Sequence, residues 1–101
     1  MTEGLANLVS IDFEVFGIVQ GVFFRKHTYE KAISLNLAGW VLNTYHGTVK
    51  GNIQGSEANV EKMKIWLSEV GSPSSRIDKC TFSNRQNIPC LEHKGFRIIK
   101  D

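Results

Sequence analysis

From Leu8 to Phe16 apolar and polar positions alternate, with Val9, Ile11, Phe13 and Val15 set against Ser10, Asp12 and Glu14. This is the period-2 pattern of a strand buried on one face. Gly17 to Gly21 break the alternation. From Phe24 to about Asn36, the residues Phe24, Ala32 and Leu35, with Thr28 between them, recur at helical spacing. Ala38–Asn43 and Thr48–Gln54 have the pattern of two further strands, joined by Thr44 to Gly47, a connection of hairpin length. Ser56 then offers a side-chain oxygen to cap a second helix, Glu57 complements its dipole, and Val60, Met63, Leu67 and Val70 form its apolar stripe. Gly71 and Pro73 stop it. Ile77–Phe82 and Phe96–Ile99 supply shorter strand signals around Ser83–Pro89, a polar stretch that the pattern assigns to a loop or an edge hairpin.

The resulting order, βαββαβ with a short terminal strand, is that of an α+β, ferredoxin-like sandwich: a mostly antiparallel sheet carrying two helices on one face. A chain of 101 residues and 11.4 kDa accommodates one such domain, 1–101, with residues 1–7 expected as a flexible tail. A formal charge of +2, with both signs scattered along the chain, is too small a surplus to imply a nucleic-acid partner. No apolar run reaches the length of a membrane span and the start lacks the marks of a secretory signal, so a soluble cytoplasmic protein is expected. Cys80 and Cys90 are expected as free thiols, and neither they nor His27, His46 and His93 have metal-ligand spacing.

Topology narrows where chemistry can sit. A right-handed crossover through the first helix makes the first two strands parallel, with the third inserted antiparallel between them. The loop Gly17-Ile18-Val19-Gln20-Gly21-Val22-Phe23-Phe24-Arg25 and the strand end at Asn43 then share one sheet edge, about 9–10 Å apart. A glycine-bearing loop that follows a strand and opens a helix can turn its N–H groups toward an anion. Arg25, a cation at the wrong end of the helix dipole, makes sense beside that anion, and its planar fork suits phosphate oxygens. Two plainer alternatives stand at this point: Gly17 and Gly21 shaping a tight turn with Arg25 a solvated residue, and Asn43 a turn former. Asp12 and Glu14 fit a solvated strand face, the histidines a surface role, and Trp40 and Trp66 packing. Neither GxxxxGK[ST] nor GxGxxG occurs, and no cysteine lies in an anion loop, so nucleotide-loop and cysteine-phosphatase chemistry is excluded.

Two runs are together distinctive: Gly17 to Arg25 spells GxVQGVxFR, and Gly39-Trp40-Val41-Leu42-Asn43 is followed by Gly47-Thr48-Val49 and Gly55. Gly71-Ser72-Pro73 and Ile77-Asp78 add to them. On these residues, from about Leu8 to Ile99, the chain resembles acylphosphatases, and most of all their organ-common form. The resemblance implies the ferredoxin-like fold and hydrolysis of carboxyl-phosphate mixed anhydrides, with a small-molecule acyl phosphate as substrate and inorganic phosphate as product. It further implies a monomer that needs no cofactor, metal, nucleic acid or membrane. It assigns Arg25 and the backbone N–H groups of Gln20, Gly21, Val22, Phe23 and Phe24 to the phosphate, and Asn43 to the attacking water. Ile18 and Leu42 stand where the family tends to have basic or longer polar residues, which predicts a lower positive potential. The rival is a non-catalytic module that binds RNA on the open sheet face or an acidic regulator at the anion loop. The polar face of the third strand, Thr48, Lys50, Asn52 and Gln54, carries no aromatic residue for stacking bases.

Overall fold

A computed structural model describes residues 7–100. Most of the expected N-terminal tail, residues 1–6, therefore lies outside the described part. Strand β1 (Leu8–Ile18) leads through the glycine loop to helix α1 (Phe24–Ser34), followed by β2 (Ala38–Asn43), β3 (Val49–Ser56), helix α2 (Glu57–Ile65), β4 (Arg76–Ile88) and β5 (Phe96–Ile98). The sheet order is β4-β1-β3-β2-β5, antiparallel throughout except for the parallel pair β2–β5. β3 thus lies between the parallel strands β1 and β2, the arrangement that the crossover predicts, and the architecture is the ferredoxin-like α+β sandwich.

One face of the sheet holds the core. Val9, Ile11, Phe13 and Val15 of β1 point the same way and join Val41, Val49 and Ile53 under the helical residues Phe24, Ala32, Val60, Met63 and Leu67. Phe13 pairs with Gly51 of β3, and a Cβ at Gly51 would come within 2.6 Å of the Phe13 ring. The glycine makes room for the largest buried side chain on β1. The Ser56 hydroxyl accepts from the Asn59 N–H at 3.3 Å, capping α2 as its sequence suggests. Beyond Ile65 the helix widens into a π-helical turn, Trp66–Val70, which ends at Gly71 in a left-handed conformation (φ 68°) with its N–H on the Trp66 carbonyl. Trp66 packs against Phe24, ring centroids 5.5 Å apart.

Two expectations need correction. Ser83–Ile88 is neither loop nor hairpin: β4 continues through it, paired with β1 as far as Leu8↔Ile88. The register shifts between Ser10 and Asp12, near Asn84 in a left-handed conformation (φ 58°). An edge strand needs only the ladder on one side, so polar residues are tolerated there and the alternation that would reveal the strand is lost. The second correction concerns the polar sheet face, which is covered around Ser10, Asn52 and Gln54. Ser10 and Asn52 are buried and Gln54 is 1% exposed. Gln54 exchanges two hydrogen bonds with Glu92 (Nε2 to Oε1, 2.9 Å; Glu92 N–H to Oε1, 2.8 Å), drawing residues 89–95 over the sheet. Asp12 and Glu14 are half-buried rather than solvated. Asp12 accepts from Asn52 and Asn84, and Glu14 from the Thr48 hydroxyl.

Candidate active site

The loop after β1 opens with Gly17 (φ 136°), whose α-carbon lies so close to the Arg76 backbone that no side chain fits there. Further on, Gly21 (φ 75°) and Phe23 (φ 59°) are both left-handed and flank Val22. Left-handed residues in alternation turn successive N–H groups toward one side, forming an anion-binding concavity. Among the described residues, no backbone carbonyl accepts from the N–H groups of Gly21, Val22 or Phe23. Phe23 is the N-cap of α1, offers no side-chain cap, and is followed by no acidic residue in the first turn. The positive end of the helix therefore keeps its uncapped donors facing the loop.

Beside the loop lies a cavity of about 470 Å³, bordered by Gly21, Phe23, Phe24, Arg25, Lys26, Asn43 and Lys100 among others. Three of these are cations, and no carboxylate is among the described residues that line it. Arg25 is half-buried in the first turn of α1, and its Nη1 donates to the Ile99 carbonyl at 3.4 Å. Asn43, the last residue of β2, reaches the same cavity, and its Oδ1 is buried with no hydrogen-bond partner among the described residues. A lone carboxamide acceptor shielded from bulk water is set up to hold a single water or hydroxyl group. Of the residues singled out from sequence, Gly21, Phe23, Phe24, Arg25 and Asn43 border this cavity. Gln20 and Val22 belong to the loop but do not line it, and Val22 packs against the core.

The side chain of Gln20 does something its sequence position does not reveal. Its Nε2 donates to the carbonyls of both Thr44 (2.9 Å) and Thr48 (2.8 Å), tying the anion loop to the β2–β3 turn. The turn follows Asn43 directly, so the two halves of the cavity are joined by one carboxamide. In the sequence this glutamine was marked by its loop and by the resemblance, for its backbone N–H and not for its side chain.

A second cavity, of about 540 Å³, opens on the opposite sheet face among Glu14, Trp40, Leu42, Tyr45, His46 and Lys50, and Asn43 borders it as well as the cationic one. Its lysine, Lys50, is balanced by the Glu14 carboxylate. Leu42 lines this cavity and not the cationic one, so its apolar character leaves the lining of the anion site unchanged. Ile18 is half-exposed at the end of β1. Cys80 is half-buried and Cys90 exposed, both as free thiols.

Comparison with known proteins shows what the chain is similar to. A family model described as acylphosphatase matches residues 11–98. The chain is similar to acylphosphatase-1 of Gallus gallus, 52% identical over 97 residues, covering 96% of this chain and 98% of the relative. It is also similar to acylphosphatase-2 of Homo sapiens, 54% identical over 92 residues, covering 91% and 93%. Among solved structures, an acylphosphatase from Coxiella burnetii aligns with a TM-score of 0.81 at 32% identity, over 96% of this chain and all 100% of that one.

Proposed function

Because the chain belongs to the acylphosphatase family, whose members are hydrolases, we propose that it cleaves small acyl phosphates to a carboxylate and inorganic phosphate by attack of a water held at Asn43. The observation that carries this reading is the buried, unpartnered Oδ1 of Asn43 on the same cavity as Arg25 and the uncapped start of α1. Arg25 and the loop N–H groups from Gln20 to Phe24 hold the phosphoryl oxygens and offset their charge. Asn43 Oδ1 accepts one hydrogen of the water and aims its oxygen at phosphorus, opposite the acyl oxygen. As the new P–O bond forms, the bond from phosphorus to the acyl oxygen breaks and its electron pair leaves on a carboxylate. That leaving group is stable enough to need no general acid. A phosphoryl oxygen takes the water's proton, because a carboxamide is too weak a base to do so. The work of the protein is positioning and charge stabilisation, and the reading gives no role to a metal, cofactor or covalent intermediate.

The same reading takes the protein as a cytoplasmic monomer acting on a small molecule. Among the described residues no helix is long and apolar enough to cross a membrane. Burial of Asn52 and Gln54 counts against RNA on the sheet face, since part of the strand surface such a partner would need is covered by the chain itself. The test is steady-state hydrolysis of benzoyl phosphate in the presence of a chelator, with folded Arg25→Gln alongside. Turnover by the wild type and a loss of about 10²-fold or more in the variant are expected. Phosphate binding without turnover in the wild type would make this an anion-binding module instead.

A further inference from the structure

We propose that Glu14, on the sheet face opposite the anion cavity, is a positioning residue for the reaction: its carboxylate sets the direction of a hydrogen-bond relay through Thr48 and Thr44 that holds Gln20, and with it the phosphate loop, in place. The proposal rests on the reading of the cationic cavity as the phosphate site.

The relay follows from counting donors. The Thr48 hydroxyl lies 2.7 Å from Glu14 Oε2 and 2.6 Å from the Thr44 hydroxyl. A carboxylate only accepts, so Thr48 gives its single hydroxyl hydrogen to Glu14. The short contact between the two hydroxyls is then satisfied in one way, with Thr44 donating to Thr48. With its hydrogen committed, Thr44 Oγ1 is left as an acceptor and takes the N–H groups of His46 and Thr48, each at 3.2 Å. Both hydroxyl hydrogens of the turn thus have one assignment, and the chain of assignments starts at Glu14.

The consequence reaches the active site through two carbonyls. The turn aims the Thr44 and Thr48 carbonyls at Gln20 Nε2. The Thr44 hydroxyl also lies 3.4 Å from the Thr48 carbonyl, within reach as an alternative acceptor. Remove Glu14, and the Thr48 hydroxyl loses its acceptor, the Thr44 hydroxyl is released, and it competes with Gln20 for that carbonyl. Glu14 does not line the anion cavity. It faces Lys50 of β3 and Thr81 of β4 in the sheet register, and shares the second cavity with Lys50 and His46.

Glu14→Ala and Glu14→Gln separate this role from bulk packing, because glutamine keeps an acceptor for Thr48 and alanine does not. Two quantities are read: KM and kcat for benzoyl phosphate, and the Kd of inorganic phosphate by NMR titration. In Glu14→Ala, KM and the phosphate Kd are expected to rise at least about tenfold, part of the way to the ~10²-fold cost of a misplaced site, with kcat falling less. Glu14→Gln is expected to restore both. Equal behaviour of the two variants, or wild-type KM and Kd in a folded Glu14→Ala, would overturn the relay. Should Glu14→Ala fail to fold, Thr48→Val against Thr48→Ser repeats the contrast, with the hydroxyl lost in one and kept in the other. Wild-type protein that binds phosphate but turns over nothing would refute the hydrolytic reading, while the phosphate Kd of the variants still decides the relay.

Discussion

Gln20 and Thr48 are 28 residues apart in the chain, yet the Gln20 carboxamide donates to the Thr48 carbonyl at 2.8 Å. The same nitrogen serves the Thr44 carbonyl at 2.9 Å, so the glycine loop after β1 is tied to the turn that follows Asn43. The spacing between the loop and Asn43 is therefore set by a side chain that does not line the cavity between them.

Replacing Gln20 by methionine keeps length and flexibility but removes both hydrogen bonds. Two half-buried carbonyls then lose a donor, at a cost of about 1–3 kcal/mol in unfolding free energy. KM for benzoyl phosphate is expected to rise in parallel. Urea denaturation and steady-state kinetics on one preparation check both, and a wild-type KM in a destabilised variant would separate the fold from the site.

Asn43→Ala removes the buried acceptor and leaves Arg25 and the loop in place. Turnover is expected to fall about 10²- to 10³-fold, as for loss of one preorganised contact. The Kd for inorganic phosphate should stay near that of the wild type. A variant that retains full turnover would sink the water-positioning role.

Gly51→Ala puts a Cβ 2.6 Å from the Phe13 ring and against the Trp40 carbonyl. The ring is fully enclosed in the core, so overpacking is expected to cost about 1–3 kcal/mol. Equilibrium unfolding checks this. Phe13→Leu in the same background should recover part of the loss, because it withdraws the ring that the methyl meets.

Burial pushes the Cys80 thiol from its ordinary 9.0 up to about 12, because a thiolate there would be poorly solvated. At neutral pH Cys80 is a protonated, slow thiol, and a thiol-disulfide reagent should label exposed Cys90 first. For an acid whose pKa is raised by folding, the stabilising contribution is complete below the unfolded-state value and disappears as pH climbs through the folded one. Stability should therefore decline from about pH 9 toward 12, and Cys80→Ala should flatten that decline. An identical alkaline limb in the two proteins would assign it to other groups.

Much of this protein was legible in its sequence because the signals are local. The alternation of Val9, Ile11, Phe13 and Val15 needs only the two-residue period of a strand, the Ser56 cap needs only the N–H three residues on, and the Gly17 to Arg25 run needs only its own backbone. Once the order of elements is known, a right-handed crossover puts Arg25 and Asn43 at one sheet edge. Tertiary structure decided what depends on a distant partner. Ser83–Ile88 is a strand because β1 presents an open ladder, not because its residues favour one. Ser10, Asn52 and Gln54 are buried because residues 89–95 fold back over them, and hydrogen bonds among them and to Glu92 make that burial tolerable. Gln20, Thr44, Thr48 and Glu14 become one relay only when the loop, the turn and β1 meet. Hydrophobic periodicity records which face of an element turns inward, while a side-chain hydrogen bond between elements leaves no period in the chain, so that part of the site belongs to the fold.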